Sequence, residues 1–275
     1  MMTMRAAVYH DFGGPIRVEQ RPRPTAPKGG VVLRVCATGV CRSDWHGWKG
    51  HDPDITSLLF TPGHELSGIV AEIGEGVQRF GVGDRVAVPF ILSCGLCYEC
   101  EHDRPTICAA QAQPGFTMPG SFAEYVALPR ADRNLSPLPP SVSFAEAAAL
   151  GCRTTTAYRA VVQRGKLVAG ETVVVFGCGG LGLSCVLVAV AVGASVIAVD
   201  TSAAARAKAE KIGASATVDA SIGSDHTRRS VQALTPDGVG ADVALDAAGF
   251  AATCEEAVWS VRRGGRVVQV GLPLG

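Results

Sequence analysis

The chain has 275 residues, 47% hydrophobic and only 6% aromatic, and its 25 basic side chains are balanced by 25 acidic ones. With no net field to gather nucleic acid or an anionic membrane, a small-molecule ligand is expected, with neither nucleic acid nor membrane as a partner. The length allows two domains with separate cores, and the start MMTMRAAVYHDFGG carries no apolar signal segment, so a cytoplasmic, reducing setting is expected for the ten cysteines.

Residues 1–150 break into short strand-like runs punctuated by Gly and Pro: Met4 to Tyr9, Val31 to Thr38, Ser67 to Ile73, Arg85 to Pro89 and Ser121 to Leu128. That pattern predicts a β-rich, barrel-like domain. Within it Cys94, Cys97, Cys100 and Cys108 fall in one short run, CGLCYECEHDRPTIC. Two-residue gaps bring three thiolates around one centre and a longer loop lets the fourth close a tetrahedron, the arrangement of a structural zinc lobe over residues 94–108. Disulfides suit short secreted chains. A ferredoxin-type cluster needs its fourth cysteine three residues on and followed by proline, whereas Cys108 comes later and Ala109 follows it. Spacing therefore favours zinc.

Pro137 to Pro140 marks a turn, and Ser143 with Glu146 forms a capping box ahead of the alanines at 147–149. Residues 151–275 are read as the second domain. From Glu171 strands and helices alternate: a strand at Thr172 to Gly177, a helix from about Gly180, a strand at Ser195 to Asp200, and a helix from Ser202 to Ile212. A short strand at Ala216 to Val218, a helix from about Asp225, a strand at Asp242 to Asp246, a helix over Ala251 to Val261 and a strand at Arg266 to Val270 follow. Such alternation predicts an α/β domain with a parallel sheet and right-handed crossovers. Residues 173–199 carry no charge and are long enough to span a bilayer, but the glycines at 177, 179, 180 and 182 interrupt them. The segment reads as strand, glycine turn, buried helix and strand.

The turn itself is Gly177-Cys178-Gly179-Gly180-Leu181-Gly182, a G-x-G-x-x-G after a strand and opening a helix. Its glycines permit a sharp turn, close approach of a pyrophosphate and tight packing of helix on strand. Asp200 ends the next strand, where a carboxylate accepts hydrogen bonds from the ribose hydroxyls and repels a 2′-phosphate, so NAD is the expected dinucleotide. Arg206 reads as an exposed helix charge beside Lys208 and Glu210, although it lies near enough to meet a phosphate.

Three further motifs contain metal-ligating side chains: Cys41-Arg42-Ser43-Asp44-Trp45-His46, Pro62-Gly63-His64-Glu65-Leu66-Ser67-Gly68, and Gly151-Cys152-Arg153-Thr154-Thr155-Thr156. Spacing alone does not unite them, and singly each Cys would read as core. Cys36, Cys178, Cys185 and Cys254 are read as core too, and His10, His51, His102 and His226, which belong to no partner motif, as surface residues.

Taken in order with the four-cysteine run and the glycine turn, these motifs resemble the zinc-dependent medium-chain alcohol dehydrogenases over essentially the whole chain. The resemblance implies a β-rich GroES-like catalytic domain followed by a Rossmann domain, two zinc ions per chain, NAD, an alcohol or aldehyde substrate and a homo-oligomer. It implies Cys41, His64 and Cys152 as ligands of a catalytic zinc that acts as a Lewis acid on the alcohol, with Glu65 a further ligand in some members. It implies Ser43 at the substrate oxygen and His46 as the proton relay. Arg42, Thr156, Leu181 and Val270 are implied as cofactor contacts beside the glycines and Asp200, and Asp44 is read as orienting His64. A dinucleotide sheet of this type has six strands, so the sixth is expected to be missing and the chain to be shortened at its C-terminus. A catalytically inactive zinc- and NAD-binding fragment and a polyol dehydrogenase of the same superfamily stand as alternatives.

Overall fold

The structure, a computed structural model, describes residues 2–56 and 58–272. The chain folds as two units, Met1–Cys152 and Arg153–Gly275.

In the first unit β1 (Thr3–Val8) pairs antiparallel with β2 (Arg17–Pro22). The sequence of β2, RVEQRP, is charged and largely exposed, so it has no apolar alternation by which to announce a strand. Then follow β3 (Val31–Gly39), α1 (Arg42–Trp48), β4 (Glu65–Ile73), β5 (Arg85–Val88), α2 (Tyr98–Glu101), β6 (Tyr125–Leu128), α3 (Ala131–Asn134), β7 (Ser136–Pro137) and α4 (Phe144–Ala149). Five of these strands form an antiparallel sheet in the order β6-β3-β4-β5-β7. Leu33, Leu66, Val70, Val86, Val88 and Leu128 meet in its core. Each fully buried aliphatic side chain there stabilises the unit by on the order of 2 kcal/mol relative to exposure.

The strand expected from Ser121 begins only at Tyr125. Upstream, Ser121 and Phe122 spend their N–H groups on the carbonyls of Gly63 and Pro62 (both 2.9 Å), so this segment braces the His64 loop. The capping box is present: Glu146 N–H donates to Ser143 Oγ (3.2 Å) and Ser143 N–H to Glu146 Oε2 (2.8 Å). A π-helical turn, Leu150–Thr154, follows α4. Cys36, read as core, is exposed because it alternates outward on β3.

The second unit contains α5 (Thr155–Tyr158), β8 (Thr172–Phe176), α6 (Gly180–Val192), β9 (Ser195–Asp200), α7 (Ala203–Lys211), β10 (Ala216–Asp219), α8 (Ser224–Ala233), β11 (Ala241–Asp246), α9 (Ala251–Ser260) and β12 (Val261–Gln269). All five strands are parallel and ordered β10-β9-β8-β11-β12, which within the unit is 3-2-1-4-5. Among the described residues β12 pairs only with β11, and no sixth strand is present.

Period-two alternation divides the sheet's side chains between two cores. Val173, Val175, Val196, Ala198, Val243 and Leu245 face Ala157 of α5 and Cys185, Val186 and Ala189 of α6. Val174, Phe176, Ile197, Val199 and Ala244 face Val231 of α8 and Ala257 of α9. Covered on both faces, β8 is buried at every residue, which is why its sequence is a continuous apolar run. The uncharged stretch 173–199 is thus β8, turn, α6 and β9, and no described helix is long and apolar enough to cross a membrane.

Candidate functional site

In the first unit one carboxylate joins two separate segments, the start of α1 and the loop before β4. Asp44, in the first turn of α1, accepts the Cys41 N–H on Oδ2 (2.8 Å), and on Oδ1 accepts the Gly63 N–H (3.1 Å) and faces His64 Nδ1 (3.1 Å). Gly63 has φ +103°, and a side chain there would strike the Phe122 ring at 2.6 Å, so only glycine lets the loop deliver His64. The third segment is the π-helical turn carrying Cys152, whose wider winding is common where a helix presents a functional side chain. It is pinned by the Phe90 N–H on the Gly151 carbonyl (3.0 Å).

The result is that ligand atoms of Cys41, His64, Glu65 and Cys152 all lie within 4.8 Å of one another. His64 is 1% exposed and Glu65 fully buried. With Nδ1 held by Asp44, His64 Nε2 is left buried with no hydrogen-bond partner. Orphaned buried nitrogens are costly, and two sulfurs, an imidazole nitrogen and a carboxylate are zinc's preferred donors, so these residues fit that metal. Burial pulls the His64 pKa down, but the Asp44 hydrogen bond and the neighbouring Cys41 sulfur outweigh it and hold it at about 9. Cys152 and Cys41 share a hydrogen bond that pulls the Cys41 thiol down and pushes Cys152 up, so the pair favours one thiolate.

Ser43 Oγ lies 3.8 Å from Cys41 Sγ, beside the donor set. His46 sits one turn further along α1, its Nδ1 3.2 Å from His51 Nδ1, and Trp45 lies edge-on to both rings. His51 is exposed, as expected, and only the fold of the loop after α1 brings it to His46. Burial, then the positive charge of Arg42 and the neighbouring His51, lowers the His46 pKa. Arg42 stacks its guanidinium on the Trp45 ring, 3.9 Å from the centroid.

The four remaining clustered thiols form a second donor set, Cys94, Cys97, Cys100 and Cys108. Cys94 Sγ is 4.0 Å from Cys100 Sγ, and Cys97 Sγ 3.7 Å from Cys108 Sγ. A disulfide requires about 2.05 Å, whereas four thiolates arranged tetrahedrally about 2.3 Å from zinc stand about 3.8 Å apart. Backbone N–H groups also point at the sulfurs: Leu96 and Cys97 donate to Cys94 Sγ (both 3.3 Å) and Cys94 to Cys108 Sγ (3.2 Å). Such donors bring Cys97 down to about 6, while burial pushes Cys108 up to about 11.

In the second unit the glycine turn joins β8 to α6. Gly177 N–H donates to the Val199 carbonyl (2.8 Å). A methyl group on Gly182 would lie 1.7 Å from the Gly177 oxygen, so helix and strand approach there as only glycine allows, while nothing lies within 4 Å of one on Gly179. The open side at Gly179 leaves the room that a pyrophosphate needs. A side chain on Gly180 would meet Arg153 Nη1 at 3.3 Å. Arg153 thus adds a cation to the turn that no spacing in the sequence reveals. Leu181 is half-buried at the start of α6, and Thr156 half-buried on α5. Val270, just past β12, donates its N–H to the Asp246 carbonyl (2.9 Å).

Asp200 is held from both sides, accepting the Cys178 N–H on Oδ2 and the Ser202 N–H on Oδ1 (both 2.7 Å). Arg206 departs from expectation. Its side chain is only 15% exposed and is ion-paired with Asp219 (2.7 Å), because β10 ends beside β9 and places Asp219 next to α7.

The chain is similar to known proteins over almost all of its length. Residues 27–140 match the model described as "Alcohol dehydrogenase GroES-like domain", and residues 180–275 the one described as "Zinc-binding dehydrogenase". An alcohol dehydrogenase of Moraxella sp. (strain TAE123) is 38% identical over 274 residues, 99% of this chain and 78% of that protein. A sorbitol dehydrogenase of Bacillus subtilis (strain 168) is 34% identical, over 98% of this chain and 75% of its own length. The solved alcohol dehydrogenase TADH from Thermus sp. ATN1 superposes with a TM-score of 0.92 at 33% identity, covering 99% of this chain and 78% of that one.

Proposed function

Since the chain belongs to the zinc-dependent medium-chain alcohol dehydrogenases, we propose that it interconverts a primary or secondary alcohol and its aldehyde or ketone by hydride transfer with NAD. The observation that carries this reading is the buried donor set of Cys41, His64, Glu65 and Cys152, with His64 Nε2 left without a partner. When bound, the metal supplies Lewis acidity toward the alcohol oxygen and NAD accepts the hydride.

The chain's own residues do the rest. Ser43 holds the alcohol hydroxyl proton on Oγ, a role supported by its 3.8 Å distance from Cys41 Sγ. His46, whose pKa is lowered chiefly by burial, is the base that takes the proton onward. Asp200 retains lone pairs for the ribose hydroxyls, Arg42 and Arg153 supply cations for the pyrophosphate, and Thr156, Leu181 and Val270 wall the cofactor. The four-cysteine site takes a second zinc that shapes its lobe, since four thiolates fill the shell and leave no open position.

A cytoplasmic location fits ten thiols with no disulfide among them. A homo-oligomer is part of the proposal, supported by Trp259, exposed on α9. The test is NADH formation, followed by its near-ultraviolet absorbance, with a panel of primary and secondary alcohols. Activity should vanish on metal removal and return with zinc. Turnover that survives complete removal of metal would contradict the reading.

A further inference from the structure

We propose that Asp219 is a coenzyme-selecting residue: by engaging the Arg206 guanidinium it turns Asp200 and itself into an acidic pair that admits NAD and rejects NADP. The inference rests on the reading of the Gly177–Gly182 turn as a dinucleotide site and goes beyond it in naming a residue outside that turn.

Strands β9 and β10 run parallel with Asp200 and Asp219 in register, so two carboxylates end side by side at the C-terminal edge of the sheet. Arg206, in the second turn of α7, reaches both strands. Its Nη1 donates to the Asp200 carbonyl and its Nη2 to Asp219 Oδ2, each at 2.7 Å. Asp219 is itself fixed, its Oδ1 accepting the Ser221 N–H (2.9 Å) and hydroxyl (2.6 Å). These contacts, those from Ser221 foremost, hold its carboxyl below the usual range and keep it ionised.

An arginine near the end of the second strand is the group that accommodates a 2′-phosphate in NADP-dependent proteins of this architecture. Here both terminal nitrogens of that arginine are already committed, one to the Asp200 main-chain carbonyl and one to the Asp219 carboxylate, so one guanidinium stands among two acidic residues. The local balance is negative. A 2′-phosphate would meet repulsion from Asp200 and could recruit Arg206 only by breaking its ion pair with Asp219, whereas ribose hydroxyls need only the free lone pairs of Asp200. Asp200 alone would repel the phosphate; Asp219 removes the compensation that Arg206 would otherwise offer.

The experiment is calorimetric titration of NADH and NADPH into the wild-type chain, Asp219→Asn, Asp200→Ser, the double variant, and the double variant carrying Arg206→Ala. Asparagine preserves the acceptor for Ser221, and Asp219→Ser is a second variant expected to move the ratio the same way should Asp219→Asn unfold. Asp219→Asn should lower the NADPH-to-NADH ratio of dissociation constants by about tenfold or more, the scale of a charge-assisted hydrogen bond. The double variant should gain more than the product of the single effects, and Arg206→Ala should erase that excess. NADH binding with an unmoved ratio, a strictly multiplicative double variant, or a gain that survives Arg206→Ala overturns the inference while leaving the dinucleotide site intact. Failure of the wild-type chain to bind either nucleotide overturns both together.

Discussion

Asp44 and His64 meet at 3.1 Å through Asp44 Oδ1 and His64 Nδ1, and this contact decides which imidazole nitrogen faces the donor cluster. The same carboxylate accepts the N–H groups of Cys41 and Gly63, so it positions two proposed ligands at once. Metal-bound histidines are usually oriented by such a partner.

Asp44→Ala should therefore weaken zinc binding at this centre by about 10–100-fold, the range for lost orienting partners. It also strands two backbone N–H groups, each costing about 1–3 kcal/mol where buried. Chelator competition reads the first effect and thermal unfolding the second, and zinc affinity equal to wild type would remove Asp44 from this role.

Metal uptake should depend on pH in a stated direction. In the metal-free protein His64 is held at about 9, above its ordinary value, and Cys152 is pushed up. A raised histidine pKa stabilises the metal-free fold fully below the unfolded value, and that contribution is lost as pH rises through about 9. Zinc requires both groups deprotonated, so binding releases protons and affinity should rise from pH 6 toward about 9. Chelator titrations across that range, with proton release measured in weak buffer, check the sign.

Much of the second unit was legible from residues alone. The β8 to α6 glycine turn, Asp200 and the strand-helix alternation announce themselves because buried parallel strands are continuous apolar runs and the turn needs glycine at fixed steps. The first unit was less so. α1 is only seven residues long and is marked by Asp44 at its third position rather than by periodicity, and β2 is charged and exposed. Cys41, His64 and Cys152 are separated by too much chain for spacing to join them, and only the family resemblance did. Contacts such as His46 with His51, or Arg206 with Asp219, depend on how loops and neighbouring strands close, which no local pattern encodes.

Gly182→Ala tests the cofactor turn. Its methyl group would fall 1.7 Å from a backbone oxygen, so strand and helix must move apart. NADH binding should be lost, and stability should fall by about 1–3 kcal/mol or more, as for other overpacked sites. Calorimetric titration and denaturant unfolding measure the two, and unchanged NADH affinity would refute the described packing.

His51→Gln probes the proton path. His51 is one of the groups that lower the His46 pKa, after burial and Arg42, so its removal should raise that pKa. The acidic limb of the kcat/KM profile should then move to higher pH, while His46→Gln should abolish that limb. A profile identical to wild type in both variants would exclude His46 as the base.

Zinc content per chain most directly tests the central claim that two separate donor sets hold two metals with different roles. Elemental analysis of the wild-type chain should find two zinc ions, and Cys152→Ser and Cys97→Ser should each retain one, from opposite sites. X-ray absorption should then show a shell of sulfur alone, at about 2.3 Å, in Cys152→Ser, and a mixed sulfur and nitrogen or oxygen shell in Cys97→Ser. A wild-type chain holding one zinc, or a Cys152→Ser variant that keeps both, would contradict the account.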